Sequence, residues 1–402
     1  MTANIFSILN TAKLGLLAQQ LAMEVTGNNI ANVETPGYSR QEVRLTPNIP
    51  RNIAVGQLGT GVLVAGIERA HDQFLFEQSV GEGSRTGEFR VRQDIFAQLD
   101  ILFNENLGRS LNDEFSAFFA SLQDLSSNPG GLAERADLLA QAQSLSSVFN
   151  HLGSELFQIQ RSIDFALVDE VTEINALAGE IAKLNEEIHG SEAGVLVANE
   201  QRDRRELLIK QLSEKIDITP LDEMDGQISI TLGDGTPLIL GEAAFQLSTA
   251  LNGGNHSFRE VLIDQGAAGP KNITAAIQGG TLRGYLDMRD RELAQVIGRL
   301  DLLAAGFTRE FNRVHQQGFG LDGALASVNQ SRAIIGANLR LAENTEFTHA
   351  QDIVDQTVQL SNIEDADLVK SAADLARLEQ ALQATLSSTA RILQPTLLDF
   401  LR

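Results

Sequence analysis

Apolar residues at alternating steps of four and three mark both ends of this 402-residue chain. At the start they run Ile5, Leu9, Ala12, Leu16, then Met23 and Ile30, with Gln19 and Thr26 interrupting the seam at equivalent positions. Such spacing lays one stripe along a helix that must pack against another helix. Leu14, Leu17 and Leu21 widen it, and Thr35-Pro36-Gly37 ends it, because Pro removes a donor and Gly permits a turn. The last forty residues repeat the stepping in Leu368, Leu375, Leu378, Leu382 and Ile392, with Leu386 and Leu393 alongside, until Pro395. Amphipathic helices at both extremes, each without an evident local partner, are expected to pair with each other or with neighbouring chains. A plain intramolecular hairpin is the alternative.

The middle is helical over a long distance. Leu156, Ile159, Ile163, Leu167, Ile174, Leu177, Ile181, Leu184 and Ile188 keep the same spacing, which predicts a rod of about 32 residues and ~50 Å. A second amphipathic run, Glu200 to Ile216, follows a small linker at 190–194 and folds back on the rod. From Ile218 the period changes. Ile228, Ile230 and Leu232 alternate with Ser and Thr, Gly233-Asp234-Gly235 turns, and Leu238 and Leu240 resume, a hairpin signature. Helical periodicity returns from Leu282 to Val314. The expected fold is therefore mainly α with an inserted β domain. Terminal helices occupy 1–45 and 360–402, a helical bundle takes 46–216 and 280–359, and a small β domain takes 217–279.

Charge narrows the partners. The chain holds 31 Lys and Arg against 53 Asp and Glu, a net of -22, which opposes binding to nucleic acid or to an anionic membrane surface. It has no cysteine, so disulfides and thiolate metal sites are ruled out. The first ten residues lack the basic n-region and apolar core of a Sec signal, and no stretch approaches the ~18–20 apolar residues of a membrane span. A chain of this kind that leaves the cell needs a dedicated export route.

Chemistry is sparse. Neighbouring histidines among His71, His151, His189, His256, His315 and His349 are far apart in sequence, so no local metal-ligand spacing exists. Gly318-Phe319-Gly320-Leu321-Asp322-Gly323 formally matches G-x-G-x-x-G. It follows a helix-period segment, however, where the dinucleotide fingerprint must follow a strand. The acidic cluster Glu364-Asp365-Asp367 opens a helix, where it favours the dipole. No catalytic residue, cofactor or metal is expected.

The segment from Asn28 to Arg40, Asn-Asn-Ile-Ala-Asn-Val-Glu-Thr-Pro-Gly-Tyr-Ser-Arg, is more specific. Its Asn side chains can bond exposed backbone at the helix end, Pro36-Gly37 fixes the exit, and Tyr38 can anchor it by burying its ring. The segment closely resembles the motif that closes the N-terminal helix in rod, hook and hook-associated proteins of the bacterial flagellum. Within that superfamily the chain resembles the hook-associated protein 1 family over most of its first 325 residues. The likeness is carried by Leu58 to Val62 with Gly66 to Arg69, Phe115 to Leu122, Ser127 to Pro129, Ala176 to Ile188, Asn199 to Leu207, Arg283 to Asp290, and Phe311-Asn312 with His315. The end departs from that family. Ser361 to Leu368 and Thr396 to Leu401 resemble flagellin and hook-associated protein 3, as does Arg332 to Ala337, so the chain reads as a composite.

The resemblance implies an extracellular axial subunit at the hook–filament junction, exported by the flagellar type III apparatus. Its terminal helices would pair as a coiled coil in an inner tube. The implied partners are other copies of itself in a helical ring, the hook protein, hook-associated protein 3 or flagellin, and a cytosolic export chaperone. The residues expected at assembly interfaces are Ile5, Leu9, Leu16, Met23, Ile30, Asn28, Asn29, Asn32, Pro36, Gly37 and Tyr38 at one end, with Leu368, Leu375, Leu378, Leu382 and Ile392 at the other. A hook-associated protein 3-like subunit or divergent flagellin would share the tail but not the Asn-rich motif. A secreted coiled-coil effector would share the helices and charge, and an enzyme would need convergent polar groups in the β insert.

Overall fold

The computed structural model describes residues 2–317, apart from 54–55, 104–109, 129, 193–196 and 267–268. The chain opens with α1 (Thr2–Ala31), which lies against a long antiparallel ribbon. β1 (Gln41–Pro47) pairs with β4 (Val62–Arg69), and β2 (Arg51–Ile53) pairs with β3 (Gly56–Leu58) beyond them. This corrects the reading of 46–216 as helical throughout, since residues up to Arg69 are strand and turn. Pro47, Pro50 and four glycines between Gly56 and Gly66 mask the alternation that would have marked them.

Four helices follow: α2 (Gln73–Phe103), α3 (Leu111–Ser127), α4 (Leu132–Glu192) and α5 (Asn199–Lys215). Ser110 caps α3 by accepting from the Asp113 N–H at 3.0 Å. At 61 residues α4 is nearly twice the expected rod, a mast of ~90 Å. Its first 24 residues carry Ser, Gln and Ala between the leucines, too dilute an apolar stripe to announce a helix from sequence. Gly153 lies inside it without breaking it.

Seven strands then form two sheets. β5 (Ile218–Asp222), β6 (Ile228–Leu232), β7 (Pro237–Leu240) and β8 (Ala243–Ala244) make the first, in sequential order. β9 (Leu247–Leu251), β10 (Arg259–Asp264) and β11 (Pro270–Asn272) make the second, with β10 central. The chain is thus mainly helical with a small β region. The buried strand residues share one core with α4 and α5: Ile230, Leu238, Val261 and Ile263 join Leu167, Ile174, Ile181 and Ile209. A second core lies towards the other end of α4, where Phe115 and Phe118 meet Phe149, Phe307 and Phe311 edge to face with centroids 5.0–5.8 Å apart, and Phe307 stacks on Phe311 at 6.0 Å.

The returning helix is not continuous. α6 (Gly280–Asp287) passes through a π-helical turn, Met288–Glu292, into α7 (Leu293–Gln317). α6 packs on α2 so closely that a Cβ on Gly284 would lie 2.9 Å from the Glu88 carbonyl oxygen. The G-x-G-x-x-G segment at 318–323 lies outside the described residues.

Candidate assembly site at the root of the terminal helix

The inner side of α1 is set by Ala18, Val25 and Asn29, which are buried and face the β1–β4 ribbon. The heptad positions Leu9, Leu16, Met23 and Ile30 flank this side and are only half-buried. The terminal helix therefore has a local partner that the sequence did not reveal, and its expected seam is left largely open. Of Ile5 only its place in the helix is described. Leu368, Leu375, Leu378, Leu382 and Ile392 lie outside the described residues.

The segment after α1 is a chain of short bonds. Asn32 N–H donates to the Asn28 carbonyl at 3.0 Å, and its side-chain Nδ2 donates to Asn28 Oδ1 at 2.8 Å. Thr35 N–H returns to the Asn32 carbonyl at 2.9 Å, and Tyr38 N–H to Thr35 at 3.2 Å. Pro36 and Gly37 form the exposed bend. Gly37 sits at φ +78°, where a Cβ would be 3.1 Å from Leu207 Cβ; both facts favour glycine. Asn29 bonds like a strand neighbour. Its Nδ2 donates to the Gln41 carbonyl at 2.8 Å and its Oδ1 accepts from Gln41 N–H at 2.9 Å. The Tyr38 hydroxyl donates to the same Oδ1 at 2.8 Å. Burial first, then the nearby Asp203 and Glu200 carboxylates, push the Tyr38 phenol up to about 12, so it stays a donor at neutral pH.

This segment is fastened to α5, far along the chain. Asp203 accepts from Ser39 N–H at 2.9 Å and from Arg69 Nη1 at 3.0 Å. Arg69 also bonds Glu206, whose second oxygen meets His71 Nδ1 at 3.3 Å. Burial alone would raise Glu206, but hydrogen bonds from His71 and Arg69 outweigh it and hold the carboxyl at about 2. Asp203 moves the other way, raised by burial against the bonds from Ser39 and Arg69. Asn199 Nδ2 donates to the Ile67 carbonyl at 3.0 Å and closes the clasp.

The opposite side of α5 ties the clasp to the mast. Arg202 forms a two-pronged pair with Glu192 at 2.7 and 2.6 Å. Arg205 is 1 % exposed and donates to Asn185 Oδ1 and to the Gly226 carbonyl, both at 2.8 Å. Burial and then the neighbouring Arg202 lower it to about 10, still cationic at neutral pH. Asn185 also donates to the Ile228 and Gly241 carbonyls at 2.8 and 2.6 Å. Arg69, His71, Asp203, Glu206, Asn185 and Arg205 thus complete the site; all but His71 fall in segments that carry the resemblance, but the sequence assigned none of them a place in it. The available signal was the charge-dense run Asn199 to Leu207, where polar residues recur on every face of a helix that must also bury Ile209 and Leu212.

Nothing in this arrangement converges on a reacting atom. Among the described residues no group of three His, Asp or Glu is placed to hold a metal ion, and no helix is long and apolar enough to cross a membrane. The carboxylates and guanidinium groups bond one another and nearby backbone, which makes the site a joint.

Comparison with known families decides what the joint belongs to. Residues 96–329 match the helical domain of the flagellar hook-associated protein FlgK. The chain belongs to the FlgK family. It is a hook-associated structural protein of the flagellum. Residues 9–38, which are most of α1 and its motif, match the flagella basal body rod protein family. Flagellar hook-associated protein 1 of Bacillus subtilis is 29 % identical over 347 residues, covering 79 % of this chain and 68 % of that one. Its Salmonella typhimurium counterpart is 30 % identical over 321 residues, with 79 % and 58 % covered. The chain therefore spans roughly six tenths to two thirds of these FlgK relatives. A solved structure, the hook junction protein FlgK of Burkholderia pseudomallei, superposes with a TM-score of 0.52 at 25 % identity, over 57 % of this chain and 41 % of that one.

Proposed function

We propose that this FlgK-family chain is a junction subunit that joins hook to filament by self-assembly. One observation carries the reading: α1 is fixed at its root by the Asn29–Tyr38–Asp203–Glu206 clasp, while Leu9, Leu16, Met23 and Ile30 stay half-exposed along its flank. A helix held at a set angle with an open heptad seam is made to meet other helices. The seam's partner is the C-terminal stripe Leu368, Leu375, Leu378, Leu382 and Ile392, and the paired helices of 1–45 and 360–402 line an inner tube. The 46–216 and 280–359 segments surround that tube, with 217–279 outermost. The subunit stacks with copies of itself in a helical ring, on hook protein below and under hook-associated protein 3 or flagellin above. It reaches the cell exterior through the type III apparatus, with a cytosolic chaperone on its C-terminal helix. The relatives, which are hook-associated and hook junction proteins, support this placement.

Replacing both Leu16 and Met23 with Asp tests the reading. Both are only half-buried, so the body should melt as before while incorporation at the hook tip is lost. Normal junctions carrying the double variant would refute it. The flagellin-like tail supports a second reading, in which this subunit also does the work of hook-associated protein 3; the FlgK helical-domain match ends at residue 329, before that tail.

A further inference from the structure

Beyond Pro47 the ribbon leaves the body. Its neck is pinned where Asn48 N–H donates to the Gly61 carbonyl at 2.9 Å and Thr60 Oγ1 donates to the Ile49 carbonyl at 2.6 Å. Past the neck, Arg51 pairs opposite Leu58 and Asn52 opposite Gln57, and all four are exposed. Ile49 is 82 % exposed and Leu58 43 %. A two-stranded ribbon wetted on both faces is marginal in water, so an arm of this kind calls for a cover.

The arm itself indicates what covers it. Pro47 and Pro50 take N–H donors off the strand edge, which discourages strand addition and leaves side chains to make the contact. From Leu45 to Ile67 the only charged residue is Arg51, in a chain of net -22. Two acidic bodies repel one another, whereas an arm free of acid and carrying one cation can lie on an acidic body without that penalty.

We propose that the ribbon formed by β2 and β3 docks through Ile49, Leu58 and Arg51 on the acidic helical body of a neighbouring copy, an inference that rests on the junction-subunit reading above. Arm meets body, so the contact is head to tail. It propagates in one direction and generates a helical array in place of a closed dimer.

The absence of native cysteine makes the test specific. The full chain carrying Leu58→Cys, labelled there with a benzophenone maleimide, is assembled on isolated hooks and irradiated. The expected product has twice the mass of the chain, with the label mapped to helices of the second copy. Adding Ile49→Asp should cut its yield by about tenfold, the effect of ~1.4 kcal/mol, with the melting curve unchanged. Adducts only to hook protein, only within one chain (residues 318–402 included), or none on hooks that the chain decorates would each overturn the docking. A chain that fails to decorate hooks at all would take the junction reading down with it.

Discussion

Asn29 supplies, from a side chain, the donor and acceptor that a neighbouring strand would give Gln41. Truncation in Asn29→Ala leaves both Gln41 groups and the Tyr38 hydroxyl short of a partner in a buried place. Each orphan costs about 1–3 kcal/mol, so amide exchange across residues 28–41 should rise by at least tenfold while exchange in α4 is unchanged. Uniform exchange in the variant and the parent would contradict the role given to Asn29. Glu206 gives the joint a pH dependence. Its folded-state carboxyl lies at about 2, below the ordinary 4.5, so its contribution is present above pH 4.5 and disappears as pH falls towards 2. A depression of that size corresponds to about 3 kcal/mol. Asp203 is shifted oppositely and cancels part of the total, which is why the comparison is best made with Glu206→Gln. That variant should melt lower than the parent at pH 7, and the two curves should converge below pH 3; a constant gap across the range would exclude the assignment. From sequence, the Asn-Pro-Gly segment was readable because its residues are adjacent and each has a local job. Asp203 is separated from Ser39 by 164 positions, and no local period or spacing links them.

Elements were legible in proportion to the regularity of their apolar period. The stretch from Leu156 to Ile188 buries Leu156, Ile163, Leu167, Ile174, Ile181, Leu184 and Ile188, and the 228–240 hairpin closes at Gly233-Asp234-Gly235 with Leu232 N–H donating to the Thr236 carbonyl at 2.8 Å. The β1–β4 ribbon was not legible, because prolines and glycines interrupt its alternation and its outer half buries little. Neither was the π turn in the returning helix, since one extra residue in a turn changes no composition. That turn does have a packing consequence. α6 faces the core shared with the strands through Leu282 and Leu286, whereas α7 faces the phenylalanine core through Leu293, Leu300 and Leu303. An added residue rotates everything after it by about 100°, which turns α7 towards its own core. Arg289 fills the turn: it is fully buried, donates to Asp164 Oδ1 at 2.7 Å and to the Arg259 carbonyl at 2.8 Å, and lies over the Phe258 ring. Deleting Asp290 should rotate α7 out of phase and lower stability by several kcal/mol. Asp290→Ala removes bonds to Arg289 and Asn255 without changing the phase of the turn and should cost about 1–2 kcal/mol. Equal urea midpoints for the two variants would rule out the phase argument.

At the scale of the whole molecule, the same polar device recurs along the mast. Gln160, Asp164, Asn175 and Asn185 each bond backbone outside α4: Gln160 to Arg289, Asp164 to Arg259, Asn175 to Leu247, and Asn185 to Ile228 and Gly241. Apolar residues between them supply the burial, and the amide pairs set the register of strands on helix, which apolar contact alone leaves free to slide. Among the described residues, these bonds and the two apolar cores join 73–317 into one body. α1 and its ribbon are attached to it through the clasp on α5, and none of these described contacts calls on residues beyond 317. Removing Ile363 to Arg402 should accordingly leave the melting transition of the body within about 0.5 kcal/mol of the parent. The half-buried seam of α1 would lose the partner proposed for it. Hooks should then no longer be capped by the shortened chain. Charging Leu375 and Leu382 in the full-length chain should reproduce that loss, because burial of each leucine against Leu9, Leu16 or Met23 is worth about 2 kcal/mol and a charge there reverses it. A shortened chain that unfolds would place the tail within the body's core. One that stays folded and still caps hooks would show that α1 and the arm suffice for assembly without an inner-tube partner.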